Sequence, residues 1–172
     1  RAGSSKTHDS VTPATWACTF AKQDEFEQSD TASGSELRVS VWTGVVTTSG
    51  TGNLTAVTAA NTFQRGLILL QNPNASSVNT VVAGGSESGT GESIGWDATP
   101  NAAGLSLAGS IEEANAATPT LAGHSAIAGS VINSDSNFAM HAWQKLLSPP
   151  DPLVFSSFTN NAGRAIVGVN LI

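Results

Sequence analysis

The stretch Thr62 to Ile94, TFQRGLILLQNPNASSVNTVVAGGSESGTGESI, holds the densest apolar run of the chain, Leu67-Ile68-Leu69-Leu70. Arg65-Gly66 precedes this run and Asn72-Pro73-Asn74 closes it. A short apolar run between Gly and Asn-Pro signals a buried strand, because a helix needs about a dozen residues. The reading is a core strand over Gln64 to Gln71. A second strand over Asn79 to Ala83 then runs into Gly84-Gly85-Ser86 and the polar loop Glu87 to Glu92. Strand, turn, strand and Gly-rich loop make one layer of a β-sandwich.

Outward from this unit the same grammar repeats. Trp16, Cys18 and Phe20 alternate along a strand over Thr15 to Ala21, which places the lone Cys18 on a buried face as an inert thiol. Lys22 to Asp30, KQDEFEQSD, reads as an acidic loop with a short helix. In Glu36 to Val46, Leu37, Val39 and Val41 alternate with Arg38, Ser40 and Trp42, the clearest half-buried strand. Thr47 to Gly52 reads as the turn of a hairpin leading into Asn53 to Ala60. Further strands are expected over Ser93 to Ala98, Leu105 to Ile111, Leu121 to Ile132, Phe138 to Trp143, Leu153 to Thr159 and Ala165 to Ile172. A helix is expected from Glu112 to Ala117. About eight to ten short strands separated by Gly, Asn and Pro turns predict an all-β, antiparallel β-sandwich, jelly-roll-like, with a β-barrel as the alternative. Leu67, Leu69, Val167, Val169 and Leu171 are the expected core residues. One domain over 14–172 follows a polar N-terminal arm over 1–13.

Composition narrows function by exclusion. With 13 acidic against 7 basic residues and a net charge of −6, the chain lacks the clustered cations that grip phosphate backbones. Nucleic acid is therefore not an expected partner. No apolar run approaches the ~20 residues of a membrane span, so none is expected. His8, His124 and His141 are far apart and lack metal-ligand spacing, and no metal or cofactor is expected.

The string Gly91-Glu92-Ser93-Ile94-Gly95 matches the nucleophile elbow, with Asp97, Asp135, His124 and His141 as nominal partners. An elbow needs a buried strand before the serine and a helix after it, whereas a polar Gly-rich loop precedes this one and Pro100 follows soon after. Asp24 with Glu27, and Glu112 with Glu113, lack the apolar cover that tunes a catalytic carboxyl. Asn133, Asp135 and Asn137 fall short of a calcium loop, with Phe138 where its Gly belongs and Gln144 where its bidentate Glu belongs. The expectation is a non-enzymatic protein without a catalytic residue. Of the four tryptophans, Trp16 and Trp143 are expected in the core. Trp42 and Trp96 are the candidate surface-binding aromatics, for which a host surface glycan is the fitting ligand. Asn53-Leu54-Thr55 and Asn74-Ala75-Ser76 match the glycosylation acceptor pattern.

The polar arm Arg1 to Pro13, the strand Leu37-Arg38-Val39-Ser40-Val41-Trp42 and the piece Leu67-Ile68-Leu69-Leu70-Gln71-Asn72-Pro73 together resemble the organisation of viral coat and decoration proteins of the jelly-roll type. The resemblance implies a structural subunit of a virion, whether capsid, decoration or spike, that assembles with copies of itself and other virion proteins. The arm has almost no apolar side chains to hold it on its own domain, so it is expected to contact a neighbouring subunit through its backbone. A carbohydrate-binding or adhesion module and an extracellular filament subunit are the alternatives.

Overall fold

The computed structural model describes residues 8–13, 17–29, 36–58, 68–70, 74–113, 119–128, 132–134, 138–160 and 162–172. Every strand pairing among them is antiparallel and no sheet closes into a barrel. The expected all-β sandwich is what forms. Thirteen strands are present among the described residues, more than the eight to ten expected.

The central sheet has the order β10 (Ile132–Ser134), β11 (Phe138–Leu146), β7 (Leu105–Glu112), β13 (Arg164–Leu171) and β5 (Val78–Gly84), with β9 (Ser125–Ala126) also on β11. The sequence of β13, RAIVGVNL, makes it the middle of the molecule: seven of its eight residues are buried. A strand buried on both faces needs a near-continuous apolar run with small residues where neighbours come close. Gly168 illustrates this, since a Cβ there would lie 2.9 Å from Val82 Cγ1 and 3.1 Å from Leu153 Cδ1.

Period-two alternation sends neighbouring side chains to opposite faces. On one face, Val82, Ala108, Trp143 and Ile166 pack against Trp96, Leu121, Leu153, Phe155 and Phe158. These last residues come from or flank a three-stranded sheet of β6 (Glu92–Ile94), β12 (Leu153–Ser156) and β8 (Thr120–Leu121). On the other face, Ala165, Val167, Ala83, Ile111 and Phe138 meet Leu37, Val39, Val41 and Phe26. This cover is the pair β2 (Ala17–Ser29) and β3 (Glu36–Thr48). The sandwich therefore has three layers.

Several expectations are corrected. Residues 68–70 form no strand, and Leu69 is 55% and Leu70 38% exposed, so the apolar run is not the core strand. Leu67 lies outside the described residues, while Val167 and Val169 are buried and Leu171 is half-buried. Lys22 to Ser29 is strand, without a helix, because its backbone is committed to the ladder with β3. Its alternation sends Phe26 inward, and Glu25 and Glu27 both reach Arg38. Glu112 ends β7 and starts no helix; 114–118 lie outside the described residues.

The expected hairpin from β3 into β4 (Leu54–Thr58) is also absent. β4 pairs with β1 (His8–Pro13), so half of the expected arm is a strand on its own chain. Residues 1–7 lie outside the described residues, as do Trp16 and Asp135. The last two strands do not pair with each other, since β12 belongs to the outer sheet and β13 to the central one.

Candidate functional site

The two candidate aromatics do not form a platform. Trp96 is 8% exposed, sits in the core and donates its indole N–H to the Pro150 carbonyl at 2.9 Å. The expectation of a surface ring there is overturned, because the apolar space between the outer and central sheets takes it in. Trp42 is half-buried on β3. Its Nε1 donates to Ser40 Oγ at 2.9 Å, and the Lys22 ammonium lies 5.6 Å from the ring centroid. Trp143 is buried, as expected.

Ser93, the serine of the elbow-like string, lies exposed on the three-residue strand β6 opposite Val154. No helix follows it, and the two histidines lie with other serines. Ser106 Oγ meets His124 Nε2 at 2.8 Å, and Ser110 is the cross-strand partner of His141. The first pair has the geometry of nucleophile and base. His124 Nδ1 lies 3.2 Å from the Ala122 carbonyl, which only accepts, so Nδ1 carries the proton and Nε2 accepts from the serine hydroxyl. Yet Ser106 is fully buried. A nucleophile must reach its substrate, so the pair acts as a tie that fixes the Ala122–His124 turn to β7.

The most elaborately built polar feature is centred on Arg164, one of the seven basic residues. Arg164 opens β13 and is fully buried, across from Glu112 on β7. Its guanidinium donates to the Ser88 carbonyl and, at 3.1–3.2 Å, to the Gly89 carbonyl and Ser86 Oγ, and it faces Glu92 at 3.5 Å. It also lies 5.0 Å from the Phe158 ring centroid. Ser86 Oγ donates to Glu92 Oε2 at 2.5 Å. One buried cation thus gathers the turn after β5.

Gly85 allows this turn to approach. A Cβ there would lie 2.1 Å from the Arg164 carbonyl oxygen, which is backbone and cannot yield. The neighbouring segment is stitched in as well, with Phe158 N donating to Thr90 O at 3.0 Å and Thr159 N to Glu112 Oε2 at 3.2 Å. The network spends its polar groups on holding the exposed tip Ser88–Thr90 rigid. Among the described residues no group of three His, Cys, Asp or Glu side chains is placed to hold a metal, and no helix is long and apolar enough to cross a membrane.

Burial sets the titration of these groups. It pushes the Glu112 carboxyl up, against the opposing hydrogen bond from Thr159 and the charge of Arg164. Burial pushes the His141 imidazole down. It also pushes His124 down, helped by Lys145 and opposed by the Ala122 carbonyl. The signs follow from linkage. An unfolded imidazole takes its proton near pH 6.5, above the folded one, so the histidines' contribution is complete above about pH 6.5 and is lost as pH falls below it. Glu112 works the other way, because the folded chain holds that proton to higher pH than the unfolded one; its penalty grows as pH rises from about 4.5. Equilibrium unfolding measured from pH 7 to 5 should show stability falling, and Glu112→Gln should make the fall steeper. A fall no steeper in the variant would remove Glu112 from this balance.

No protein-family model matches the chain, and no curated protein and no solved structure matches it either.

Proposed function

We propose that the chain is a non-enzymatic structural subunit that works in many copies, as a coat or decoration protein of a virus particle does. The observation that carries this reading is the distal half of the β2–β3 pair. Both strands are 13 residues long, and from Gly44 to Asn53 every residue is exposed. Val45 is 67% and Val46 45% exposed, and as neighbours in a strand they point to opposite faces. Val57 on the adjoining β1–β4 ribbon is 45% exposed. A two-stranded ribbon is marginal alone in water, and its unpaired edges are templates for another chain. Apolar residues on both faces of such a ribbon fit a surface that neighbours cover. The partners on this reading are copies of the chain and other particle proteins, and the location is the virion. The buried Ser106 and the turn held by the Arg164 network agree with a role in assembly.

The test is the size and shape of purified protein by light scattering and electron microscopy. Wild type should form closed or extended multimers, and V45E with V46E should reduce them to monomer with an unchanged far-UV circular dichroism spectrum. Wild type that stays monomeric at every concentration would sink the reading.

A further inference from the structure

We infer that the end of the central sheet beside Arg164 encloses a buried site for a small neutral hydrogen-bonding ligand, ordered water, formed by Ser110, Glu112, His141 and Thr159. Register brings the four together. Ser110 and His141 are cross-strand partners on β7 and β11, and Glu112 lies two residues along β7 on the same face. Thr159 is held there by its N–H on Glu112 Oε2 at 3.2 Å. Ser110, Glu112 and His141 are each at least 95% buried. Four buried atoms have no hydrogen-bond partner among the described residues: Ser110 Oγ, Glu112 Oε1, His141 Nε2 and Thr159 Oγ1. Single orphans of this kind are rare in folded proteins, and three on two neighbouring rungs with a fourth on the segment tied to Glu112 point to a shared partner. Opposite residues on one face have Cβ atoms ~4.5–5.5 Å apart and diagonal ones lie ~7–8 Å apart, a span that one or two waters bridge.

Charge selects the occupant. The charged or titratable groups at this end of the sheet are Glu112 on β7, Arg164 on β13 and His141 on β11, with Glu92 of β6 set against Arg164 and Ser86. An anion would meet the Glu112 carboxylate, while the Arg164 donors are already directed to Ser86, Ser88, Gly89 and Glu92. A metal ion would find one carboxylate oxygen and one imidazole nitrogen, with a guanidinium beside them, short of the three or four protein ligands it needs. Water suits the set. It donates to Glu112 Oε1, exchanges either way with the two hydroxyls, and pairs with His141 Nε2 in whichever tautomer the ring adopts. So occupied, the site joins the 157–160 segment to β7 and β11 through solvent as well as through the Thr159 amide.

The test is a high-resolution crystal structure with water-to-protein NOE measurements on the full chain. Solvent density within hydrogen-bond reach of at least two of the four atoms, with long-lived water cross-peaks near Thr159, is the expected result. Ser110→Val should remove those cross-peaks, and the smaller Ser110→Ala change, which leaves more room, should keep them in weakened form. Direct bonds among the four side chains with no solvent density would overturn the inference. So would xenon entering the space under pressure, as it does in dry apolar cavities.

Discussion

Replacing Arg164 with alanine should destabilise the domain by about 3–5 kcal/mol, the range for breaking a buried ion pair from one side. The guanidinium is fully buried, so the change leaves buried Glu112 on the neighbouring strand and Glu92, 3.5 Å from the guanidinium, without their cation. It also strands the Ser88 and Gly89 carbonyls and the Ser86 hydroxyl, which that one group holds together. Folded domains are stable by about 5–15 kcal/mol, so the loss is a large share of the whole. Arg164→Lys should recover only part of it, because one ammonium cannot reproduce a planar fork that reaches several acceptors while facing the Phe158 ring. Urea denaturation with an unchanged slope measures the difference, and amide exchange over 86–91 should quicken in step with it. A loss under about 1 kcal/mol would be ordinary for any substitution and would mean that the turn stands without the cation.

That Arg164 matters was not legible in the sequence, and the reason is physical. A charged residue heading an apolar strand looks like a solvent-facing end until the segments that close over it are known, and those are the turn after β5 and residues 157–160, ~75 and ~5 positions away along the chain. What could be read was the alternation. Leu37 and Val39 in β3 and Val167 and Val169 in β13 are buried where their spacing placed them, and Val41 is half-buried against the same cluster. Periodicity carries directional information, and a featureless run does not. Leu67-Ile68-Leu69-Leu70 is apolar at every position, so nothing in it says which side is covered, and Leu69 and Leu70 are exposed.

Pairing was the second blind spot. KQDEFEQSD has the composition of a loop or helix, but the ladder with β3 makes it a strand, with Phe26 inward and Glu25 and Glu27 on Arg38. Tertiary pairing overrides local preference in this way. The turn-rich Thr47 to Gly52 segment signalled a hairpin that does not form, since β3 pairs with β2 and β4 joins β1. Trp96 failed for the opposite reason to Leu69. It follows a three-residue strand in a polar stretch, and only the outer sheet's closure over the central one shows that its ring is inside.

Phe155→Ala should cost about 3–5 kcal/mol, whereas Leu69→Ala should stay within about 0.5 kcal/mol. Phe155 is 1% exposed on β12, the middle strand of the three-stranded sheet, and it is where that sheet grips the central one. Its ring meets Trp143 of β11 edge-on, with centroids 5.5 Å apart, and lies 5.9 Å from Phe158. Truncation removes the transfer energy of a buried ring and both aromatic contacts. It also opens a cavity between two sheets whose backbones are fixed by their own ladders, so little collapse can relieve it. Leu69 loses only partial contacts in a segment already facing water. Chemical denaturation of the two variants side by side decides between two cores. The three-layer packing requires the large loss at Phe155; a large loss at Leu69 with a small one at Phe155 would return the core to the leucine run.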